Sequence, residues 1–322
     1  MDAEHPPISE RPDILLTTAL PAWDMEPLEA AFTVHKVYEA ADKAAFLAEV
    51  GPHIRAIATG GGTGASADLI NALPALEIIT VYGVGIDAVD LAAARARGIR
   101  VTNTPDVLTD DVADLAVGMT LALLRKIPEG DAYVRSGAWG QDGPMGLVTR
   151  LSGKKAGIAG FGRIGEAIAR RLAGFDMEIG YYNRSSKPDI PYPAFATPAD
   201  LAAWCDVLVV AVAGGAGTTE IIDWEVLEAL GPEGWLVNIS RGTTVDEGAL
   251  IELLEKGAIA GAALDVFLNE PHVDPRFAAL SNVLLMPHHA SATVETRQAM
   301  GQLMRDNLTA HFAGKPLPTP VL

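Results

Sequence analysis

"KAGIAGFGRIGEAIARRL", residues 155–172, runs from an apolar stretch through three glycines into a helical pattern. Gly160, Gly162 and Gly165 keep the spacing G-x-G-x-x-G directly after Lys155–Ala159. Beyond them Ile164, Ile168 and Leu172 recur at i, i+4 and i+8, one face of a helix. The glycines permit a tight turn and let a pyrophosphate approach the helix N-terminus closely. Alone the spacing says little. After a strand and before a helix it predicts a βα unit that cradles a dinucleotide.

Outward from this unit, apolar runs alternate with helical patterns over nearly the whole chain. Five runs come first, at 13–18, 33–38, 54–59, 76–81 and 99–104. Six more follow, at 155–160, 178–183, 206–212, 235–240, 261–266 and 282–287. Between them lie helical stretches such as Asp200–Trp204 and Glu247–Glu255. Alternation of this kind means parallel sheets covered on both faces. At 322 residues the chain is too long for one ordinary core. The expectation is an α/β fold of two Rossmann-like, doubly wound parallel-sheet domains with the active site in an interdomain cleft.

The segment 106–139 is helical over 110–125, longer than a crossover needs, and suits a bridge between domains or a dimer interface. Residues 140–154 are Gly-rich and read as a loop. A last helix, ending near Gly314, follows the final strand, and the simplest packing returns it to the first domain. That domain is then residues 1–102 plus 290–322, and the dinucleotide-binding domain is 103–289.

Bulk composition narrows the partners. A formal net charge of −17 argues against a nucleic-acid backbone or an anionic membrane surface. Cys205 is the only cysteine, which excludes an internal disulfide or a cysteine-based zinc site and suits a reducing compartment. "MDAEHPPISERPD" at the N-terminus has no basic region and no apolar core, so no signal peptide is expected. A soluble cytoplasmic protein follows as the expectation.

An NAD site places an acid about 20 residues after the glycines. Here "YYNRSSKP" has no acid before Asp189 and offers Asn183, Arg184, Ser185, Ser186 and Lys187. A guanidinium, hydroxyls and an ammonium suit a 2′-phosphate, which a carboxylate would repel. NADP(H) is therefore the expected cofactor.

Three strand-like runs end in chemistry. "WLVNIS" leads into Arg241, "LDVFLNEP" places Glu270 beyond another run, and "LLMPHHASAT" puts His288 and His289 after a third. Carboxyl ends of strands are where open α/β sheets bind ligands. A protonated imidazole can give a proton to a carbonyl that receives hydride, and a carboxylate behind it fixes the ring. Arginine pairs bidentately with a substrate carboxylate. Neighbours in extended chain point to opposite sides, so only one of the two histidines can face a cleft, and spacing does not choose. At "VYGVGIDAVDL" (81–91), Gly83-Val84-Gly85 would expose consecutive backbone N–H groups, a nest for a carboxylate. The glycine turn in "ATGGGTGA" (58–65) is similar.

Together "GVGIDAVDL", "GIRVTNTPDVLTDDVADLAVG", "GIAGFGRIG", "NISRG", "VDEGAL", "GAALDVFLNEP", "MPHHASAT" and "GKPLPTP" resemble the D-2-hydroxyacid dehydrogenase family over nearly the whole chain. The branch most similar is the NADPH-dependent glyoxylate/hydroxypyruvate reductases, with hydroxyphenylpyruvate reductases alongside. The resemblance implies reduction of a small 2-oxoacid to a D-2-hydroxyacid in a homodimer, with aromatic 2-oxoacids as the alternative substrates. It implies Arg241, Glu270 and His288, the histidine directly after Pro287, as the catalytic set. Val84 and Gly85 would hold the substrate carboxylate with Arg241. The cofactor contacts it implies are Gly160, Gly162, Arg163, Ile164, Asn183, Arg184, Ser185, Ser240 and Asp265, the last beside the nicotinamide carboxamide.

Selectivity for the substrate side chain would come from residues such as Tyr82, Trp139 or Met286. Glu270 separates the chain from the formate-oxidising branch, which carries glutamine there. One stretch departs from the family: "AGGAGTTE" (213–220) replaces a stiff proline-containing turn. Thr218 and Thr219 still fit the pattern. Some members of the family are nucleotide-sensing corepressors, a second class of function. That class needs an extra docking surface or extended tails, which these short ends do not suggest.

Overall fold

The computed structural model describes residues 11–185, 187 and 189–322. They form two compact units. One takes the chain up to Leu108 together with Ala292–Leu322, the other Thr109–Ser291.

The first unit carries β1 (Asp13–Leu16), β2 (Thr33–Lys36), β3 (Ile54–Gly60), β4 (Ile78–Tyr82) and β5 (Arg100–Thr102) in the order β2-β1-β3-β4-β5. The second carries β6 (Lys155–Ala159), β7 (Glu178–Tyr182), β8 (Val207–Val210), β9 (Trp235–Asn238), β10 (Gly261–Leu264) and β11 (Val283–Leu285) in the order β11-β10-β9-β8-β6-β7. Every pairing between these strands is parallel. Each apolar run of the sequence is thus a strand, usually shortened by a residue or two at its end. Both sheets reverse direction once, next to their first strand. At such a reversal two strands send their connections to opposite faces, which opens a crevice at their carboxyl ends. In the second unit that crevice lies between β6 and β8.

Parallel strands are buried on both faces, which is why they read as unbroken apolar runs. All of β4 and all of β8 are buried. In the second unit Leu208, Val210, Leu236 and Leu264 pack with Leu250, Leu253 and Leu254 of the helix Glu247–Glu255. Leu15, Ile57, Ile79 and Val101 form the matching core of the first unit. The helix predicted over 110–125 runs Thr109–Arg125 and buries Val112, Ala116 and Leu123. It lies on the helix Arg163–Ala173, where Arg171 donates to Asp110 at 2.8 Å and also to Asp114. Gly140 belongs to a short helix, Ala138–Asp142, so the irregular stretch starts at Gly143, whose φ of +84° suits a residue without Cβ.

The helix Val294–Phe312 buries Met300, Met304 and Leu308 against the first unit's sheet. Beyond it Val321 donates to the Val101 carbonyl at 2.8 Å and adds an edge to β5. Asp24, fully buried in the helix Ala22–Ala31, sits where Gly301 leaves room for its carboxylate. Arg305 donates to it, and the Tyr82 hydroxyl lies 3.5 Å away. Removing one partner of a buried ion pair leaves the other uncompensated, at a cost of about 3 kcal/mol or more. Asp24→Ala is expected to lower the unfolding free energy by about 3 kcal/mol in urea titrations. No helix among the described residues is long and apolar enough to cross a membrane.

Candidate active site

At the crevice between β6 and β8 each of the three glycines meets a different demand. Gly160 has φ +96°, and a Cβ there would lie 2.5 Å from the Val212 nitrogen, so the turn passes too close to the end of β8 for any side chain. At Gly165 a Cβ would strike the Gly160 carbonyl, which is how helix and strand come into contact. Gly162 has no atom within 4 Å of where its Cβ would be, and it begins the helix Arg163–Ala173 without a side-chain cap. A tight turn, an open approach and close helix–strand packing are what a bound pyrophosphate requires. The residues present fit a dinucleotide.

Asn183 ties this turn to the end of β7. Its Oδ1 accepts the Phe161 N–H at 3.2 Å, and its Nδ2 donates to the Ser185 carbonyl at 2.9 Å and Oγ at 3.0 Å. Arg184 and Ser185 are exposed. Lys187 differs from the sequence expectation: its ammonium pairs with Glu166 Oε1 at 2.6 Å, so its charge is already matched. Ser186 lies outside the described residues. Arg163 is exposed and Ile164 half-buried on the helix's first turn.

Further along the sheet, the ends of β9, β10 and β11 bring Arg241, Glu270 and His288 into one cluster. Asn238, buried in β9, folds the first tip: Oδ1 accepts the Ser240 N–H at 3.0 Å and Nδ2 donates to the Arg241 carbonyl at 3.1 Å. The buried Ser240 hydroxyl donates to the Val212 carbonyl and ties this tip to the end of β8. Gly242 lets the Phe267–Leu268 backbone press onto the tip, where any Cβ would collide with Phe267. That second loop is pinned twice more: Glu247 Oε2 accepts the Leu268 N–H and Glu270 Oε1 the Phe267 N–H, each at 2.9 Å.

Glu270 Oε2 meets His288 Nδ1 at 2.7 Å. His289 takes no part in that pair; it contributes its backbone N–H to the loop. Asp265, buried at the end of β10, accepts the His289 N–H at 2.7 Å and the Ala290 N–H at 3.0 Å. The Asp265 carbonyl accepts the His288 N–H at 2.8 Å, and His288 itself sits at φ +51°. Asp265 thus shapes the loop that aims the ring. Burial pushes its carboxyl up, and the two N–H donors counter that only in part.

Burial also pushes the Glu270 carboxyl up. The hydrogen bonds from His288 and the Phe267 N–H, with the positive fields of His288 and Arg241, outweigh it, and the group titrates below its ordinary 4.5. A depressed carboxylate stabilises the fold above its unfolded value and loses that contribution as pH falls through the lowered one. The stability gap between wild type and Glu270→Gln should therefore narrow as pH falls below 4.5 in denaturation curves. A gap that stays unchanged down to about pH 3 would mean the carboxylate is not held in this way.

In the first unit, the turn after β4 keeps part of the expected nest. The Gly83 N–H is taken by Thr104 Oγ1 at 3.0 Å, so it is not available to a ligand. Among the described residues no acceptor takes the N–H of Val84 or Gly85. Asn103 Nδ2 holds the Val84 carbonyl at 2.8 Å and fixes the turn. The glycine turn after β3 stands beside it, with Gly61 Cα 3.8 Å from where a Gly83 Cβ would be. Tyr82 is not a lining residue: it is buried, and its hydroxyl donates to the Arg297 carbonyl at 2.7 Å. Burial first, then the Asp24 charge, pushes that phenol up to about 12. Met286 is half-buried and Trp139 exposed.

Known proteins carry the same pattern. The family model for the D-isomer specific 2-hydroxyacid dehydrogenase NAD binding domain matches residues 117–290. A 2-ketogluconate reductase of Gluconobacter oxydans is 48% identical over 98% of this chain and 100% of its own length. A glyoxylate/hydroxypyruvate reductase of Arabidopsis thaliana is 48% identical over 96% of this chain and 98% of its own. The crystal structure of an NADPH-dependent glyoxylate/hydroxypyruvate reductase from Sinorhizobium meliloti, in complex with NADP and malonate, superposes with a TM-score of 0.92 at 43% identity, covering 97% of each chain.

Proposed function

Because the chain belongs to the D-2-hydroxyacid dehydrogenase family, and is thus an NAD(P)-dependent dehydrogenase, we propose that it reduces small 2-oxoacids of the glyoxylate/hydroxypyruvate type with NADPH. The observation that carries this is the His288–Glu270 pair at 2.7 Å with Arg241 acting on the same carboxylate, all at strand ends in the unit that holds the glycine turn.

A bound reduced nicotinamide supplies the hydride that reaches C2 of the 2-oxoacid. His288 gives the proton. Its Nδ1 is held by Glu270, so Nε2 is the nitrogen that delivers to the carbonyl oxygen, and the product is a D-2-hydroxyacid. Glu270 keeps the ring in one orientation through its 2.7 Å contact with Nδ1. Arg241 takes the substrate carboxylate in its fork and polarises the neighbouring carbonyl. On the first unit, the N–H groups of Val84 and Gly85 have the chemistry to receive a carboxylate. Gly160, Gly162, Arg163 and Ile164 would hold the pyrophosphate, and Arg184 and Ser185 the 2′-phosphate. Ser240 and Asp265 would border the nicotinamide.

The test is a steady-state panel of glyoxylate, hydroxypyruvate, 2-ketogluconate and phenylpyruvate with NADPH and NADH, read by absorbance loss. Highest kcat/KM for the two small acids with NADPH is the expected result. A preference for phenylpyruvate would transfer the enzyme to the aromatic branch. Tight NADPH binding with no turnover would leave only a nucleotide-sensing role.

The working form in this proposal is a homodimer. The helix Ile127–Arg135, the helix Ala138–Asp142 and the stretch after them expose Ile127, Val134, Trp139 and Leu147. Exposed apolar side chains on neighbouring elements suit a contact face, and sedimentation at micromolar concentration reads the state directly.

A further inference from the structure

The turn 213–217 stands next to Arg184, the residue proposed to read the cofactor's phosphate. Between Ala213 and Gly217 no side chain exceeds a methyl group. The turn is closed on itself: the Thr218 N–H donates to the Gly215 carbonyl at 2.9 Å, and Thr218 Oγ1 lies 2.6 Å from the Ala213 carbonyl. Behind it the Glu220 N–H donates to the Thr243 carbonyl at 2.8 Å, so the far end is anchored as well. A Cβ at Gly217 would have one neighbour within 4 Å, the Arg184 Nη1 atom at 3.4 Å. An alanine would just touch the guanidinium, and anything larger would displace it.

Charge and hydroxyl chemistry point the same way. Among the described residues no acid pairs with Arg184, whereas the neighbouring Lys187 is matched by Glu166. Ser185 Oγ accepts from Asn183 Nδ2 at 3.0 Å, which leaves its own O–H to donate elsewhere. A guanidinium that no described acid pairs with, a hydroxyl whose O–H is not used by Asn183 and a turn with no side chain beyond a methyl group suit a small anion.

We propose that Gly217 sets the preference of this enzyme for NADPH over NADH: lacking a side chain, it lets Arg184 lie against the 213–217 turn, which forms the second wall of the 2′-phosphate subsite. The inference rests on the reading that Arg184 meets the 2′-phosphate. An acid at 217 would pair with Arg184, withdraw it from the phosphate and add a negative charge that repels the phosphate.

Calorimetric titration with 2′,5′-ADP and 5′-ADP, which lack the nicotinamide, separates these points. In Gly217→Asp the affinity for 2′,5′-ADP should fall roughly 30-fold, the size of a lost charge-assisted contact, while 5′-ADP changes less than about threefold. Gly217→Glu, whose longer side chain reaches the same guanidinium, is the second variant, and melting curves confirm that each is folded. Equal weakening of both nucleotides, or of neither, would overturn the role of Gly217. Arg184→Ala is the control for the underlying reading. If it fails to discriminate between the two nucleotides, the phosphate site itself is misplaced. If it discriminates and the Gly217 variants do not, the site stands and only the wall is wrong.

Discussion

Replacing His288 with asparagine is expected to lower kcat by about 10²–10⁴-fold, the usual worth of a positioned general acid, while the dinucleotide dissociation constant moves by less than about twofold. Asparagine is the right substitution for a backbone reason. His288 sits at φ +51°, a region that asparagine tolerates better than most residues. The Asp265 grip on the two following N–H groups does not involve the ring, so the loop should keep its course. The amide keeps N–H donors but is far too weak an acid to transfer a proton to the carbonyl oxygen. Fluorescence titration with NADPH beside stopped-flow turnover measures both halves. A variant that lost cofactor affinity and turnover in proportion would show the histidine to be a structural prop.

The second large effect is expected at Arg241. Replacing it with glutamine should reduce kcat/KM for a 2-oxoacid about 10²-fold, the loss of a bidentate charge-assisted pair. NADPH affinity should stay unchanged. Lysine at the same position should recover only part of the loss, because it restores charge without the planar fork. The backbone around the site argues that these variants fold. The Arg241 carbonyl, not its side chain, takes the bonds from Asn238 and Thr244 that shape the loop. Glu270 would lose one of the positive fields holding it ionised, so a modest upward move of the acidic limb of the pH profile should accompany the substitution. If KM for the oxoacid is untouched, the guanidinium does not grip a carboxylate.

Much of the architecture was legible because parallel strands are covered on both faces and so appear as uninterrupted apolar runs. The glycine fingerprint was legible because its three positions meet three distinct steric demands. Arg241, Glu270 and His288 stood out as polar residues following such runs. Which histidine meets Glu270 was not decidable from spacing, since the positive φ of His288 breaks the alternation that spacing assumes. Asp265 and Glu247 act on backbone N–H groups, and an amide donor has the same appearance at every position of a sequence. Asn238 did leave a trace, a lone amide in an apolar strand. The Lys187–Glu166 pair joins the loop after β7 to a helix 21 residues upstream, a separation no local pattern reports. Tyr82 looked like a pocket residue because its hydroxyl partner is a carbonyl 215 residues away.

The turn at Val84 and Gly85 offers a ligand main-chain hydrogens and nothing else. Conventional mutagenesis, which exchanges what hangs from the chain and preserves the chain itself, would pass over it in silence. Swapping one of those two peptide links for an ester by chemical synthesis would delete a single hydrogen and reveal what every alanine library misses.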